Sequence, residues 1–204
     1  SITCPNSNEN IIINVTSSPP TNIPLSSYCT SDEWNCDVTS HTGRFTRSTD
    51  CTITGTNHVA VANTLEIVGA NTDINHLITI TAASKHRHFY INDGNAKLIL
   101  HYLKLVGGDV SRPGKGPDRL GGSICIYTNG GELNLYSSNV INNKAYFGGG
   151  IYAHGVSSTN KNAIMNVYNS IIQKNVATTG GGGGVFFLIN LFLKNKIKTY
   201  KKKN

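Results

Sequence analysis

Apolar and polar residues alternate in short runs through the middle of the chain. Val59/Val61, Leu65/Ile67, Ile78/Ile80, Leu98/Leu100, Ile124/Ile126, Leu133/Leu135 and Met165/Val167 are each spaced by two, between clusters of Gly, Asn and Ser. Period two sends successive side chains to opposite faces of an extended strand. Each run therefore predicts a short strand with one buried face.

The runs also repeat. Leu133 to Gly148 can be laid over Met165 to Gly180 without a gap, matching Asn134/Asn166, Tyr136/Tyr168, Ser138/Ser170, Asn143/Asn175, Ala145/Ala177 and Gly148/Gly180. Each unit then enters a glycine cluster and a further apolar strand, Gly149-Gly150-Ile151-Tyr152 and Gly183-Gly184-Val185-Phe186, with Gly121-Gly122-Ser123-Ile124 upstream. Repeating units of this length, each holding two or three short strands, suit a parallel solenoid whose coils rise about 4.8 Å apart and stack like on like. Gly148, Gly180, Asn143 and Asn175 are read as corner residues, because Gly and Asn best tolerate positive φ. Asn143 and Asn175 are also expected to form an amide ladder between coils. By alternation, Ile124, Ile151 and Val185 face inward, and Cys125, Tyr152 and Phe186 stack on the outer surface.

The strand motif Gly-Gly-x-Ile, with the turn motifs Val140-Ile-Asn-Asn143 and Ile172-Gln-Lys-Asn175, resembles the repeats of the chlamydial polymorphic outer membrane proteins. Those carry Gly-Gly-Ala-Ile and Phe-x-x-Asn; here Ser or Gly replaces the Ala, and Val or Ile the Phe. The earlier stretches Leu65 to Gly69, Ile78 to Ala83, Arg87 to Ile91 and Ala96 to Leu100 resemble pectin-lyase-like helices more generally. The resemblance implies an all-β, right-handed parallel β-helix over residues 57–185.

The two ends differ in texture. Residues 1–56 hold Cys4, Cys29, Cys36 and Cys51, the sole Trp (Trp34) and the sequon Asn14-Val15-Thr16. They are read as a cap over an open strand edge, tied by two disulfides in one of three connectivities. Residues 186–204 switch to an apolar run followed by lysines and are read as a tail, with non-native coding sequence as the favoured reading. Only with a genuine tail is membrane contact expected.

Composition narrows the function classes. Charged residues are 14% of the 204, against roughly 25% in an average soluble chain, which disfavours helical bundles and coiled coils. The net charge of +7 belongs largely to the six lysines between Lys194 and Lys203; the body is near neutral, so no nucleic-acid partner is expected. Glycosidases of this architecture need paired carboxylates, yet Glu132 is the only acidic residue between 122 and 185. Three candidate contacts remain. The loop after Gly107 gathers Asp109, Arg112, Lys115, Asp118 and Arg119 for an anionic glycan. The rings of Tyr136, Tyr168 and Tyr152 offer an outer ladder to sugars or a protein partner. His86 and His88, with His76 or His101, have a metal-like spacing, but histidines in a polar turn are the expectation; no metal or cofactor is assigned. The expected function is a non-catalytic secreted or cell-surface scaffold that binds glycan or protein in the manner of an adhesin. The alternative is a fragment of a polysaccharide lyase or glycoside hydrolase of the pectin-lyase-like group.

Overall fold

A computed structural model describes residues 33–39, 42–55, 57–112, 116–154, 162–179 and 181–188. Cys4, Cys29, the sequon, Lys115, Gly180 and the tail beyond 188 lie outside these described residues. Within them the chain is a parallel β-solenoid of five stacked rungs. The first rung holds β1 (Gly43–Arg47), β2 (Cys51–Thr52) and β3 (Val59–Val61); the second holds β4 (Thr64–Gly69), β5 (Ile78–Thr81) and β6 (Phe89–Ile91). From the third rung a fourth short strand joins: β7 (Lys97–His101), β8 (Leu103–Val106), β9 (Asp109–Val110) and β10 (Ile124–Ile126). The fourth rung is β11 (Gly131–Tyr136), β12 (Asn139–Ile141), β13 (Lys144–Ala145) and β14 (Ile151–His154). The fifth is β15 (Ala163–Tyr168), β16 (Ile171–Gln173), β17 (Val176–Ala177) and β18 (Val185–Leu188).

Corresponding strands pair in parallel, giving the sheets β1-β4-β7-β11-β15, β2-β5-β8-β12-β16, β3-β6-β10-β14-β18 and β9-β13-β17. The register matches the repeat read from sequence, with Leu65 on Leu98, Leu98 on Leu133, and Leu133 on Met165. Inward residues therefore form columns. Leu65, Ile67, Leu98, Leu100, Leu133 and Leu135 are fully buried within one continuous core. Each contributes about 1.5–3 kcal/mol of apolar burial.

Polar residues also enter the interior, and they pair from rung to rung. The Gly108 N–H donates to Asn143 Oδ1 at 2.8 Å; the Asn143 N–H and Nδ2 donate to Asn175 Oδ1 at 2.9 and 3.0 Å. A second ladder runs through serines: the Leu103 N–H donates to Ser138 Oγ at 3.2 Å, and the Ser138 N–H to Ser170 Oγ at 3.0 Å. The left-handed corner residues stand one position before the ladder asparagines, at Asn142 (φ 56°) and Lys174 (φ 54°), and not at Asn143 and Asn175 themselves. The asparagine amides are consumed by the ladder, leaving the corner conformation to the preceding residue. Gly148, by contrast, adopts the expected positive φ of 62°.

Pairing begins within the segment read as a cap, since β1 and β2 already stack on β4 and β5. Beneath them, Glu33 and Asp37 bridge to Thr46 and Thr54, and Trp34 is fully buried 6.1 Å from Phe89. The indole joins the continuous core, and a Cys36–Cys51 disulfide ties this layer to the first rung. Among the described residues no helix is long and apolar enough to cross a membrane.

Candidate functional site

The outer face of the sheet β1-β4-β7-β11-β15 carries an ordered set of charged, amide and aromatic side chains. Because strands pair in register, its outward positions form three columns. At one margin stand Thr64, Lys97, Glu132 and Ile164; in the middle, Arg44, Glu66, Ile99, Asn134 and Asn166; at the other margin, Thr46, Val68, His101, Tyr136 and Tyr168. Ion pairs link neighbouring rungs, Arg44 to Glu66 at 3.1 Å and Lys97 to Glu132 at 3.0 Å, and across columns His101 Nε2 lies 3.2 Å from Glu66 Oε1. Amides continue the pattern. Asn134 Nδ2 donates to Glu132 Oε1 at 2.8 Å, and Asn166 Nδ2 donates to Asn134 Oδ1 at 2.9 Å.

The aromatic column is equally regular. His101 stacks on Tyr136 with centroids 4.7 Å apart and planes 9° from parallel, and Tyr136 on Tyr168 at 5.0 Å and 5°. Stacked this closely, interior rings offer a ligand their edges, while Tyr168 ends the stack among the described residues. Ile164 is 48% exposed and the Lys97 side chain 40%, so this margin of the face is open to solvent.

The second expected aromatic row is placed differently. Cys125, Tyr152 and Phe186 do point away from the main core, with Tyr152 stacked on Phe186 at 5.6 Å. They do not form an outer surface, however, because Cys125 and Tyr152 are buried with Leu120 in a second apolar cluster, flanked by Tyr90, Tyr127, Phe147 and Phe186. The loop after β9 supplies the cover. Arg87, itself buried over the Tyr90 ring, donates to the Pro117 carbonyl and straps the loop down. Arg119 lies over Tyr146 at 4.6 Å, and Arg112 donates to the Lys85 carbonyl at 3.2 Å. Asp109 accepts from the Ser111 N–H in its own turn, and Asp118 is exposed. Of the loop residues expected to bind an anion, Arg112 and Arg119 contact neighbouring segments, and Lys115 lies outside the described residues. Burial pushes the Cys125 thiol up to about 12, leaving a protonated thiol rather than a nucleophile.

The histidines do not converge. His76 Nδ1 pairs with Asp73 at 2.6 Å, and His88 is wholly buried. His88 Nε2 lies 3.0 Å from the Ile80 carbonyl, which can only accept, so this nitrogen carries the proton; Nδ1 lies 3.0 Å from Ser123 Oγ. Burial lowers the His88 pKa to about 4, and that of His58 likewise, with Arg87 and His86 adding to the effect at His58. Both rings charge near pH 6.5 in the unfolded chain but only near pH 4 in the folded one. Their contribution to stability is full above about pH 6.5 and is lost as pH falls toward 4, by roughly 2–3 kcal/mol for His88. Urea unfolding midpoints between pH 7 and 4.5 should fall accordingly; a flat profile would show that His88 is not held neutral.

The two carboxylates of this face have separate partners: Glu132 pairs with Lys97, and Glu66 with Arg44, while their backbones stand two rungs and two strand positions apart, about 12 Å from rung spacing and strand rise. Among the described residues no group of three His, Cys, Asp or Glu side chains is placed to hold a metal.

Sequence reasoning singled out Tyr136 and Tyr168 but gave no role to the flanking Asn134/Asn166 ladder, although both asparagines recur in the repeat. Comparison of this chain with known protein families, with curated proteins and with solved structures finds no match.

Proposed function

We propose that this protein is a non-catalytic β-helix scaffold, secreted or displayed at a cell surface, that binds a glycan through the outer face of the sheet β1-β4-β7-β11-β15. The reading takes up the resemblance of the Gly-Gly-x-Ile and turn motifs to polymorphic outer membrane protein repeats within the pectin-lyase-like group. The observation that carries it is the aromatic stack His101–Tyr136–Tyr168 running beside the Asn134–Asn166 amide ladder. Amides both donate and accept, as sugar hydroxyls do, and rungs repeat the same groups at regular intervals. A polymer that repeats its own hydroxyls at similar intervals is the natural complement. The Cys36–Cys51 disulfide supports an oxidising compartment, where such bonds persist.

Tyr168 ends the stack among the described residues and is half-buried, so part of its ring is open to a sugar. Tyr168→Ala is expected to weaken glycan binding about fivefold to tenfold, the value of one lost aromatic contact. Calorimetric titration of the full chain with neutral oligosaccharides checks it. Unchanged affinity in the variant would remove the stack from the binding surface.

A further inference from the structure

An open groove of about 460 Å³ runs along the corner where the chain passes from the sheet of β6, β10 and β14 into that of β7, β11 and β15. Its lining includes Asn92, Asp93 and Asn95 from the second rung's turn, Asn129 from the third's, Asn162 from the fourth's, and Ile164 from the start of β15. The geometry points to this groove as the seat of a neutral oligosaccharide lying parallel to the solenoid axis. This deepens the glycan-binding reading and rests on it.

Four observations carry the inference. The volume falls within the roughly 300–1,000 Å³ typical of ligand sites. The lining is dominated by carboxamides, with Ile164, 48% exposed, as an apolar platform at one end. A carboxamide offers a donor and an acceptor side by side, which fits hydroxyl groups better than it fits any ion.

The walls are held in place before a ligand arrives. The Asn129 N–H donates to Asn92 Oδ1 at 3.1 Å, the Gly131 N–H to the Asn162 carbonyl at 3.1 Å, and the Asn95 N–H to Asp93 Oδ1 at 2.9 Å. Such preorganisation lowers the ordering cost of binding.

Charge decides between neutral and acidic sugars. Among the described residues the one charged side chain in the lining is Asp93, and the neighbouring Lys97 is paired with Glu132. An acidic sugar would meet that carboxylate with like charge, whereas a neutral one would not. The groove reaches across three rungs, about 10 Å of axis, which favours a short oligosaccharide over a single sugar.

The test is titration of the full chain with gluco-, manno-, galacto- and xylo-oligosaccharides of increasing length, and with oligogalacturonides as acidic counterparts. At least one neutral series is expected to bind with affinity that rises with length, and the oligogalacturonides more weakly. Asn95→Ala combined with Asn162→Ala should reduce neutral binding at least tenfold and flatten the length dependence, with an unchanged melting temperature showing that the fold persists. Asp93→Asn should narrow the gap between neutral and acidic chains. If the groove variants bind as the parent does while Tyr168→Ala weakens binding, the groove is not the seat and the sheet-face reading stands alone. Preferential binding of the acidic series would overturn the neutral assignment, and no binding by any series would overturn both.

Discussion

Asn143→Asp should destabilise the folded chain by about 3–5 kcal/mol, the cost of leaving a buried charge without compensation. The substitution changes almost no volume, so packing is not at issue. It converts Nδ2, which donates to the Leu105 carbonyl at 3.2 Å, the Ile141 carbonyl at 3.1 Å and Asn175 Oδ1 at 3.0 Å, into an oxygen that cannot donate when ionised. Three acceptors would then face a negative charge at a position 1% exposed. Lowering the pH should recover part of the loss, because a protonated carboxyl can donate one of the three bonds. Chemical unfolding of the variant at pH 7 and pH 4.5, corrected for the parent's own acid loss, reads both effects. A variant as stable as the parent at pH 7 would mean that the ladder does not cross the rungs as described.

Gly149→Ala is expected to be comparably damaging, by about 4 kcal/mol, while Gly184→Ala is tolerated. The two glycines belong to the same kind of cluster, but their surroundings differ. A methyl group on Gly149 would come within 2.5 Å of the carbonyl oxygens of Gly183 and Val176, both backbone atoms of the next rung. Relieving that contact means pushing two rungs apart, which combines an overpacking penalty of about 3 kcal/mol with the loss of a ladder hydrogen bond worth about 1. At Gly184 the nearest atom, in the Ile172 side chain, lies at 3.7 Å, and the equivalent position in the third rung already carries Ser123. Thermal melting of both variants separates a steric role for glycine from a general demand for flexible corners. Equal effects at the two sites would contradict the close approach at Gly149.

What the sequence disclosed follows from what period and repetition can encode. The pairing of Leu133 with Met165 was legible because inward columns must match in size and apolarity from rung to rung. The amide ladder was legible because two asparagines stood one unit apart. Alternation tells which way a side chain leaves its strand, but not what lies over it. Tyr152 therefore reads as an outer residue, although the aperiodic loop around Leu120 covers it. The corner groove was hidden for a related reason: Asn92, Asn129 and Asn162 sit in turns of unequal length, so no fixed spacing aligns them. The polar face was only half visible, since Lys97 and Glu132 pair across rungs that share no obvious motif.

The claim on which the rest depends is that strands of successive rungs lie in parallel register, about 4.8 Å apart. Contacts between methyl groups in solution, observed by nuclear Overhauser spectroscopy on a methyl-labelled chain, test it most directly. Strong contacts should join Leu98 to Leu133 and Leu133 to Met165, while Leu98 and Met165, two rungs apart at about 10 Å, should show none. Contacts displaced by one or two residues, or absent between Leu133 and Met165, would contradict the stacked register and the faces built on it.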